Sequence, residues 1–231
     1  MRMLDEQYLK YPFYGRVKHT EELKKMGYTV NHKRVWRLMK KLGIIARAPG
    51  PHTSHGNKLH EKYPYLLKNL CINKVNQVWA TDITWIPTVD GSLYLVAILD
   101  LFSRFILSWK LDNTLEADFC IEALKEALKL GKPEIFNSDQ GSQFTAAAFT
   151  GVLKKNEIQI SMDGKGRYAD NIFVERFWRS LKYEEVYPKE YESGEEAYHG
   201  IGAYIDYYNQ KRIHQSLGYN TPIEVFYRKA I

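Results

Sequence analysis

The sequence predicts a mixed α/β domain, a sheet flanked by helices, preceded by a small helical domain. Three observations predict it. From residue 77 onward, three apolar strand runs are followed by alternating helix and strand patterns, the order that builds a helix-covered sheet. Before residue 48 the apolar positions recur at helical spacing. Between the two, the stretch ARAPGPHTSHGNKLHEKYP mixes Pro, Gly, Ser and His without any period and reads as a linker. With 231 residues, 45% of them hydrophobic, the chain can bury one core and carry an appendage. The boundaries follow as 1–47 for a helix-turn-helix domain, 48–74 for a linker and 75–231 for the α/β domain with a helical extension.

Each element has a local reason. Thr20 is expected to cap a helix with Glu21 and Glu22 in its first turn and Lys24 and Lys25 in its last, stopping at Gly27. After the turn Tyr28-Thr29-Val30, Asn31 caps a second helix that ends at Gly43. Val35, Leu38, Met39 and Leu42 form its apolar stripe, and Lys33, Arg34, Arg37, Lys40 and Lys41 lie largely off it. Helix, tight turn and basic helix is the outline of a helix-turn-helix, with Lys33, Arg34, Arg37 and Lys41 as candidate DNA contacts.

In the second domain, Gln77–Pro87 and Leu93–Leu99 read as strands joined through the hairpin signal Asp90-Gly91, and Arg104–Leu111 as a third. Leu115–Leu130 is an amphipathic helix and Glu134–Ser138 a short strand. Ser142 is expected to cap one helix through Phe144, Phe149, Val152 and Leu153, before a last strand at Glu157–Ser161. The MDGKGRYAD loop leads to a helix from Asn171 to Tyr187, then come a helix at Gly194–Gln210 and one capped by Thr221 with Pro222 at its first position. Three antiparallel strands followed by alternating helices and strands is the order of a ribonuclease-H-like fold.

Composition narrows the function classes. No run of about 18 apolar residues is present and MRMLDEQYLK lacks the apolar stretch of a signal peptide, so no membrane partner and a cytoplasmic location are expected. Two cysteines, Cys71 and Cys120, cannot supply a disulfide framework or a thiolate metal cluster, and both read as packing residues. His52, His55 and His60 raise a zinc site, but no thiol pair stands at ligand spacing; solvated or phosphate-contacting roles fit them better. Charge is uneven: 13 basic against 4 acidic residues up to Lys58, then 20 basic against 23 acidic. A basic head suits a polyanion and leaves the body its carboxylates for other work.

Asp82 stands in the middle of a strand apolar on both faces, with Val78, Ala80 and Ile86 alternating with Trp79, Ile83 and Trp85. A carboxylate there costs several kcal/mol unless a metal ion or a cationic side chain compensates it. Asp139 follows a strand in NSDQGSQFT, where sheet ends bind ligands, although an Asp before Gly is also a common turn residue. In DNIFVERFWRSLKYE, helical spacing puts Asn171, Glu175, Arg179 and Lys182 on one face, an arrangement that surface ion pairs also produce. Three acids with oxygen donors suit two Mg²⁺ ions, with Mn²⁺ as a substitute. Such a pair, about 4 Å apart, serves displacement at a phosphodiester. Arg179 and Lys182 would then meet backbone phosphates.

The Asp139–Glu175 pair leaves 35 residues between, and Lys182 follows Glu175 by seven. This resembles the Asp-Asp-35-Glu signature of retroviral integrases and of insertion-sequence transposases of the IS-three group. WATDITWIP, NSDQGSQFT, YADNIFVERFWRSLK and YIDYYNQKRIHQSLGYNTP are similar to that group's blocks, in its order, from about Gly15 to the C-terminus. The resemblance implies Asp82, Asp139 and Glu175 as the metal-binding catalytic triad and Lys182 on DNA. It implies a transposase that cleaves DNA and transfers strands, acting as a homo-oligomer on double-stranded DNA at element ends and target. A segment encoded in an upstream overlapping frame is implied as a further partner. The integrase His-His-Cys-Cys zinc module is missing, so zinc is not implied. On residues alone, a ribonuclease-H-like nuclease without joining activity and a non-catalytic DNA-binding regulator stay open, since a triad cannot separate joining from hydrolysis.

Overall fold

The computed structural model describes residues 1–46, 61, 63–163 and 172–228. The chain divides into two compact units, Met1–His55 and Gly56–Ile231.

The first unit holds α1 (Arg2–Lys10), α2 (Arg16–Lys25) and α3 (His32–Leu42) around Leu4, Leu23, Val35, Met39 and Ile44. α3 forms as expected: Asn31 Oδ1 accepts from the Arg34 N–H at 2.8 Å, and Gly43 closes the helix at φ 69, where the Ile44 N–H returns to the Met39 carbonyl at 2.9 Å. α1 was not expected. Thr20 is not a cap: α2 begins after Gly15, and the buried Thr20 hydroxyl donates to the Arg16 carbonyl at 2.6 Å inside the helix. That back-bond satisfies the hydroxyl without interrupting the turn.

The second unit is a five-stranded sheet in the order β3-β2-β1-β4-β5, made by β1 (Val78–Thr88), β2 (Gly91–Asp100), β3 (Ile106–Asp112), β4 (Ile135–Ser138) and β5 (Gln159–Met162). β1, β2 and β3 are antiparallel, while β4 lies parallel to β1 and β5 parallel to β4. Alternation along the strands splits the core in two. Val78, Ala80, Leu95, Ala97 and Leu99 pack under α7 (Ile172–Leu181) and α9 (Gly194–Gln210); Trp79, Val96 and Ile98 pack under α4 (Asp118–Ala127) and α6 (Ala147–Lys155). The segment 63–76 has no helix or strand, yet Leu66, Leu67, Leu70 and Ile72 pack against the first of these clusters.

Several local expectations change. Ser142 does not cap: a short α5 (Ser142–Thr145) follows Gly141, and Ala146, in extended conformation, separates it from α6. Trp85 is not covered but 49% exposed: β4 pairs only with Val78–Ala80, and beyond it the hairpin is packed on the face of Ile86 and Leu95 while the Trp85 face is left open. Cys120 is buried, but Cys71 is exposed and is not a packing residue. The expected Asn171–Tyr187 helix is α7, followed by a π-helical turn at Lys182–Val186 and the short α8 (Tyr187–Lys189). The capping box at Thr221, with Glu224 answering it, starts α10 (Pro222–Phe226) as expected. Asn171, His52, His55, His60 and most of the MDGKGRYAD loop lie outside the described residues. No helix of the described residues is long and apolar enough to cross a membrane.

Candidate active site

The parallel pairing of β1 and β4 ends at Ala80 and Asn137. Asp82 lies two residues beyond Ala80, and Asp139 two residues beyond Asn137. The two-residue period of a strand aims both toward the sheet face that carries α7, where Trp178 and Glu175 project.

Asp82 is half-buried, and its Oδ2 accepts a hydrogen bond from the Trp178 indole N–H at 3.0 Å. Its carboxyl is pushed up to about 6, first by burial and then by the like charges of Asp139 and Glu175, with the indole N–H opposing. Asp139 reaches solvent, yet the protein crowded around it raises its pKa, while the Gly141 N–H holds Oδ1 at 2.9 Å and works the other way. Gly141 is needed for that approach, since a Cβ there would stand 2.9 Å from the same oxygen. Glu175 is exposed on α7, near enough to raise Asp82. Lys182 is half-buried, its pKa lowered by burial and raised back by Asp82, which sets it beside the same carboxylate. Below Lys182 the π turn is clamped to α9: Arg212 donates to both oxygens of Glu184 at 2.9 and 2.7 Å, and the Tyr204 hydroxyl adds a third bond at 2.7 Å.

The donors suit a hard divalent cation. All are carboxylate oxygens, and no described residue forms an ion pair with Asp82, Asp139 or Glu175, so among the described residues only the more distant charge of Lys182 and N–H donors offset their repulsion. As placed, no group of three or more His, Cys, Asp or Glu among the described residues is gathered closely enough to hold a metal ion.

The other expected site residues divide. Arg179 is exposed with its guanidinium 6.0 Å from the Tyr183 ring, so its described contact is with its own helix. In the first unit, Lys33, Arg34, Arg37 and Lys41 are all exposed on α3. Lys33 and Arg37 share a basic concavity with Arg16, His32 and the 45% exposed Trp36, over whose ring Lys40 sits at 4.9 Å. Sequence reasoning did not single out Trp178 as a partner of Asp82. Its signal was the indole N–H, a donor that a buried Trp must satisfy.

The chain matches the family model described as Integrase core domain over residues 72–167, a second model of that description over 156–222, and an HTH-like domain over 2–52. It is 34% identical over 219 residues to the transposase for insertion sequence element IS904 of Lactococcus lactis subsp. lactis (strain IL1403), covering 90% of this chain and 85% of that relative. It is 33% identical over 218 residues to transposase InsF for insertion sequence IS3A of Escherichia coli (strain K12), covering 90% and 75%. Among solved structures, the HTLV-2 integrase catalytic core domain in complex with magnesium aligns with a TM-score of 0.56 at 20% identity, over 67% of this chain and 98% of that one. The simian T-cell lymphotropic virus intasome in complex with PP2A regulatory subunit B56 gamma aligns at 0.60 with 14% identity, over 99% and 76%. These two likenesses concern the fold.

Proposed function

The chain belongs to the insertion-sequence transposases with an integrase core and an HTH-like domain, and from that we propose that Asp82, Asp139 and Glu175 are its catalytic triad. The observation that carries the assignment is Asp82: a half-buried carboxylate with a pKa of about 6, repelled by the other two acids, at the point where two parallel strands part. Such a group is costly to the fold and suits a cation-binding role.

The bound group is a pair of Mg²⁺ ions, replaceable by Mn²⁺; when bound it supplies activation of the attacking oxygen and stabilisation of the leaving one. The chain's own residues do the positioning. The Trp178 N–H fixes Oδ2 of Asp82, which also feels the Ile83 backbone N–H, and the Gly141 N–H fixes Oδ1 of Asp139. Lys182, beside Asp82, takes a phosphate of the terminal DNA, with Arg179 and Asn171 further along that strand. Lys33, Arg34, Arg37 and Lys41 supply phosphate or base contacts from the first unit. Displacement at phosphorus runs in two rounds: water exposes a 3′-hydroxyl at the element end, and that hydroxyl attacks a second phosphodiester. The partner is double-stranded DNA, bound by a homo-oligomer, and the similarity to a viral intasome supports that assembly. The segment of an upstream overlapping frame completes the active form, which works in the bacterial cytoplasm on nucleoid DNA. Domain limits of 1–47, 48–74 and 75–231 go with this reading.

The test uses a labelled element end and Mg²⁺. Asp82→Asn, Asp139→Asn and Glu175→Gln are each expected to abolish cleavage and keep DNA binding, because each removes a ligand charge at little cost in volume. Strand transfer by any of the three would sink the triad; cleavage without joining by the complete wild-type protein would favour a nuclease.

A further inference from the structure

A cationic cavity lies at the turn after β2, where the Leu101 N–H bonds the Val78 carbonyl at the start of β1. Its volume is about 530 Å³, and it is lined by Leu101, Arg104, Phe173, Ser216, Val225 and Arg228, among others. Arg104 is held in an unusual way. It follows the β2 turn at φ 65, a left-handed conformation that a side chain rarely adopts. Its guanidinium lies 3.4 Å from the Phe173 ring centroid and donates to the Leu101 carbonyl.

No described acid neutralises it. The nearby Asp100 is already spent, with Oδ2 on the Asn76 N–H at 2.8 Å and Oδ1 on the Ser103 N–H at 2.8 Å and hydroxyl at 2.7 Å. Further cations stand nearby. Arg228 lines the cavity, donates to Asn220 Oδ1 at 3.2 Å and feels the charge of Glu224, and Arg176, one residue past Glu175, repels Arg104. His214, a neighbour of Arg104 and Arg212, has a buried Nε2 with no hydrogen-bond partner among the described residues, and burial and those two cations push its pKa down to about 4 against the pull of Glu184. Burial also brings Arg104 down to about 10, against the pull of Tyr208 and Asp100. Neither Arg104 nor Arg228 forms an ion pair with a described acid, and two guanidiniums around an apolar floor gain most from an anion that joins them both.

We propose that this cavity is a second phosphate-binding site of the core, in which the Arg104 and Arg228 guanidiniums and the Ser216 hydroxyl hold a backbone phosphodiester of the DNA beyond the reacting strand. The inference rests on the transposase reading. A planar guanidinium stacked on an aromatic ring is pre-aimed for two-point contact with a phosphate. Phe173 also ties the site to the chemistry, since it stands on α7 two residues before Glu175. A phosphate seated on Arg104 therefore bears on the helix that carries the third acid.

The experiment measures binding of the full chain to an element-end duplex across a range of NaCl concentrations. Arg228 is exposed near the end of the described chain, so Arg228→Gln should fold normally; Arg104→Gln is the stronger variant and is checked by circular dichroism. One lost phosphate contact flattens the slope of log K against log salt by about 0.9. The affinity deficit of either variant should then shrink about 3.5-fold when salt is raised about fourfold. A scan of single methylphosphonate linkages should find one position that weakens the wild type and leaves the variant unaffected. An unchanged slope for Arg228→Gln, or the lack of any such linkage, overturns the proposal. Stabilisation of the wild type alone by inorganic phosphate, with DNA binding unmoved in both variants, would make the site one for a free anion and overturns it equally. A wild-type chain joined to the upstream segment that neither binds nor cleaves the duplex would instead refute the transposase reading beneath it.

Discussion

Asp82→Asn should stabilise the metal-free protein at neutral pH and do nothing near pH 4. Asp82 has a folded-state pKa of about 6 against an ordinary 3.8, because burial and the charges of Asp139 and Glu175 disfavour its ionised form. The sign follows from linkage. A carboxylate whose pKa is raised by folding binds its proton more tightly in the folded state, so it costs nothing below about pH 4, costs more as pH rises to about 6, and costs a constant amount above that. The gap of about two units at ~1.4 kcal/mol each gives a ceiling of about 3 kcal/mol, which solvent reaching the half-exposed side chain lowers. Asn keeps the volume and an oxygen that accepts from Trp178. For a domain of this size each kcal/mol moves the melting temperature about 2–4 °C, so the variant should melt up to about 6–12 °C higher near pH 8 without divalent ions. Mg²⁺ should largely close the gap, since ligand at about 100 times its Kd stabilises only the chain that binds it, by about 2.7 kcal/mol. Thermal melts followed by circular dichroism across pH, with and without MgCl₂, give the result. A difference independent of pH, or a variant less stable near pH 8, would refute the claim that the Asp82 charge is what the fold bears at a loss.

Gly141→Ala puts a Cβ 2.9 Å from Asp139 Oδ1 on a backbone, φ −59, that alanine accepts; cleavage should fall roughly 10²-fold from the displaced carboxylate while the melting temperature holds. Replacing Arg34, Arg37 and Lys41 together with Ala should flatten the salt dependence of DNA binding by about 2.7 if each meets one phosphate, and an unchanged slope would make α3 an ordinary charged surface. Lys182→Ala should reduce cleavage at a specific element end more than binding to random duplex, read by comparing the two substrates; equal losses would remove Lys182 from the terminal DNA.

The strands and most helices were legible because their signals are periodic and redundant. The Gly194–Gln210 helix falls at its expected bounds, where a Ser193 cap, Glu195 and Glu196 in the first turn and a regular apolar stripe all agree. Single-residue signals failed. Thr20 and Ser142 are good capping residues that sit inside helices whose true starts, after Gly15 and Gly141, have no side-chain cap at all. α1 buries only Leu4 and Gln7, too sparse a stripe to read. Trp85 fits the alternating pattern of a covered strand, but coverage depends on where β4 stops, a long-range fact that no local window holds. The acids were legible from their setting, Asp82 in an apolar strand above all. The hydrogen bond to Asp82 from Trp178, a residue 96 positions away in sequence, was not.

The sheet order explains why the acids meet where they do. In β3-β2-β1-β4-β5 the antiparallel half and the parallel half join between β1 and β4, and such a change of direction is where a strand's neighbour can end early and leave a crevice. Only three residues of β1 have partners on β4, and the next inward-facing position on each strand is an aspartate. With the β1–β4 pairing ended, Asp82 and Asp139 gain room beside the sheet while protein still crowds them, half-burying Asp82 and leaving Asp139 open on one side, and that crowding raises both carboxyl pKa values. α7 must cross this gap because Val174, Phe177, Trp178 and Leu181 bury themselves against the same sheet face. Burying that stripe carries Trp178 to Asp82 and Glu175 to the rim. The packing that secures the fold is therefore also what draws three mutually repelling acids together, and the free energy lost to their repulsion is available to whatever cation or phosphate neutralises it.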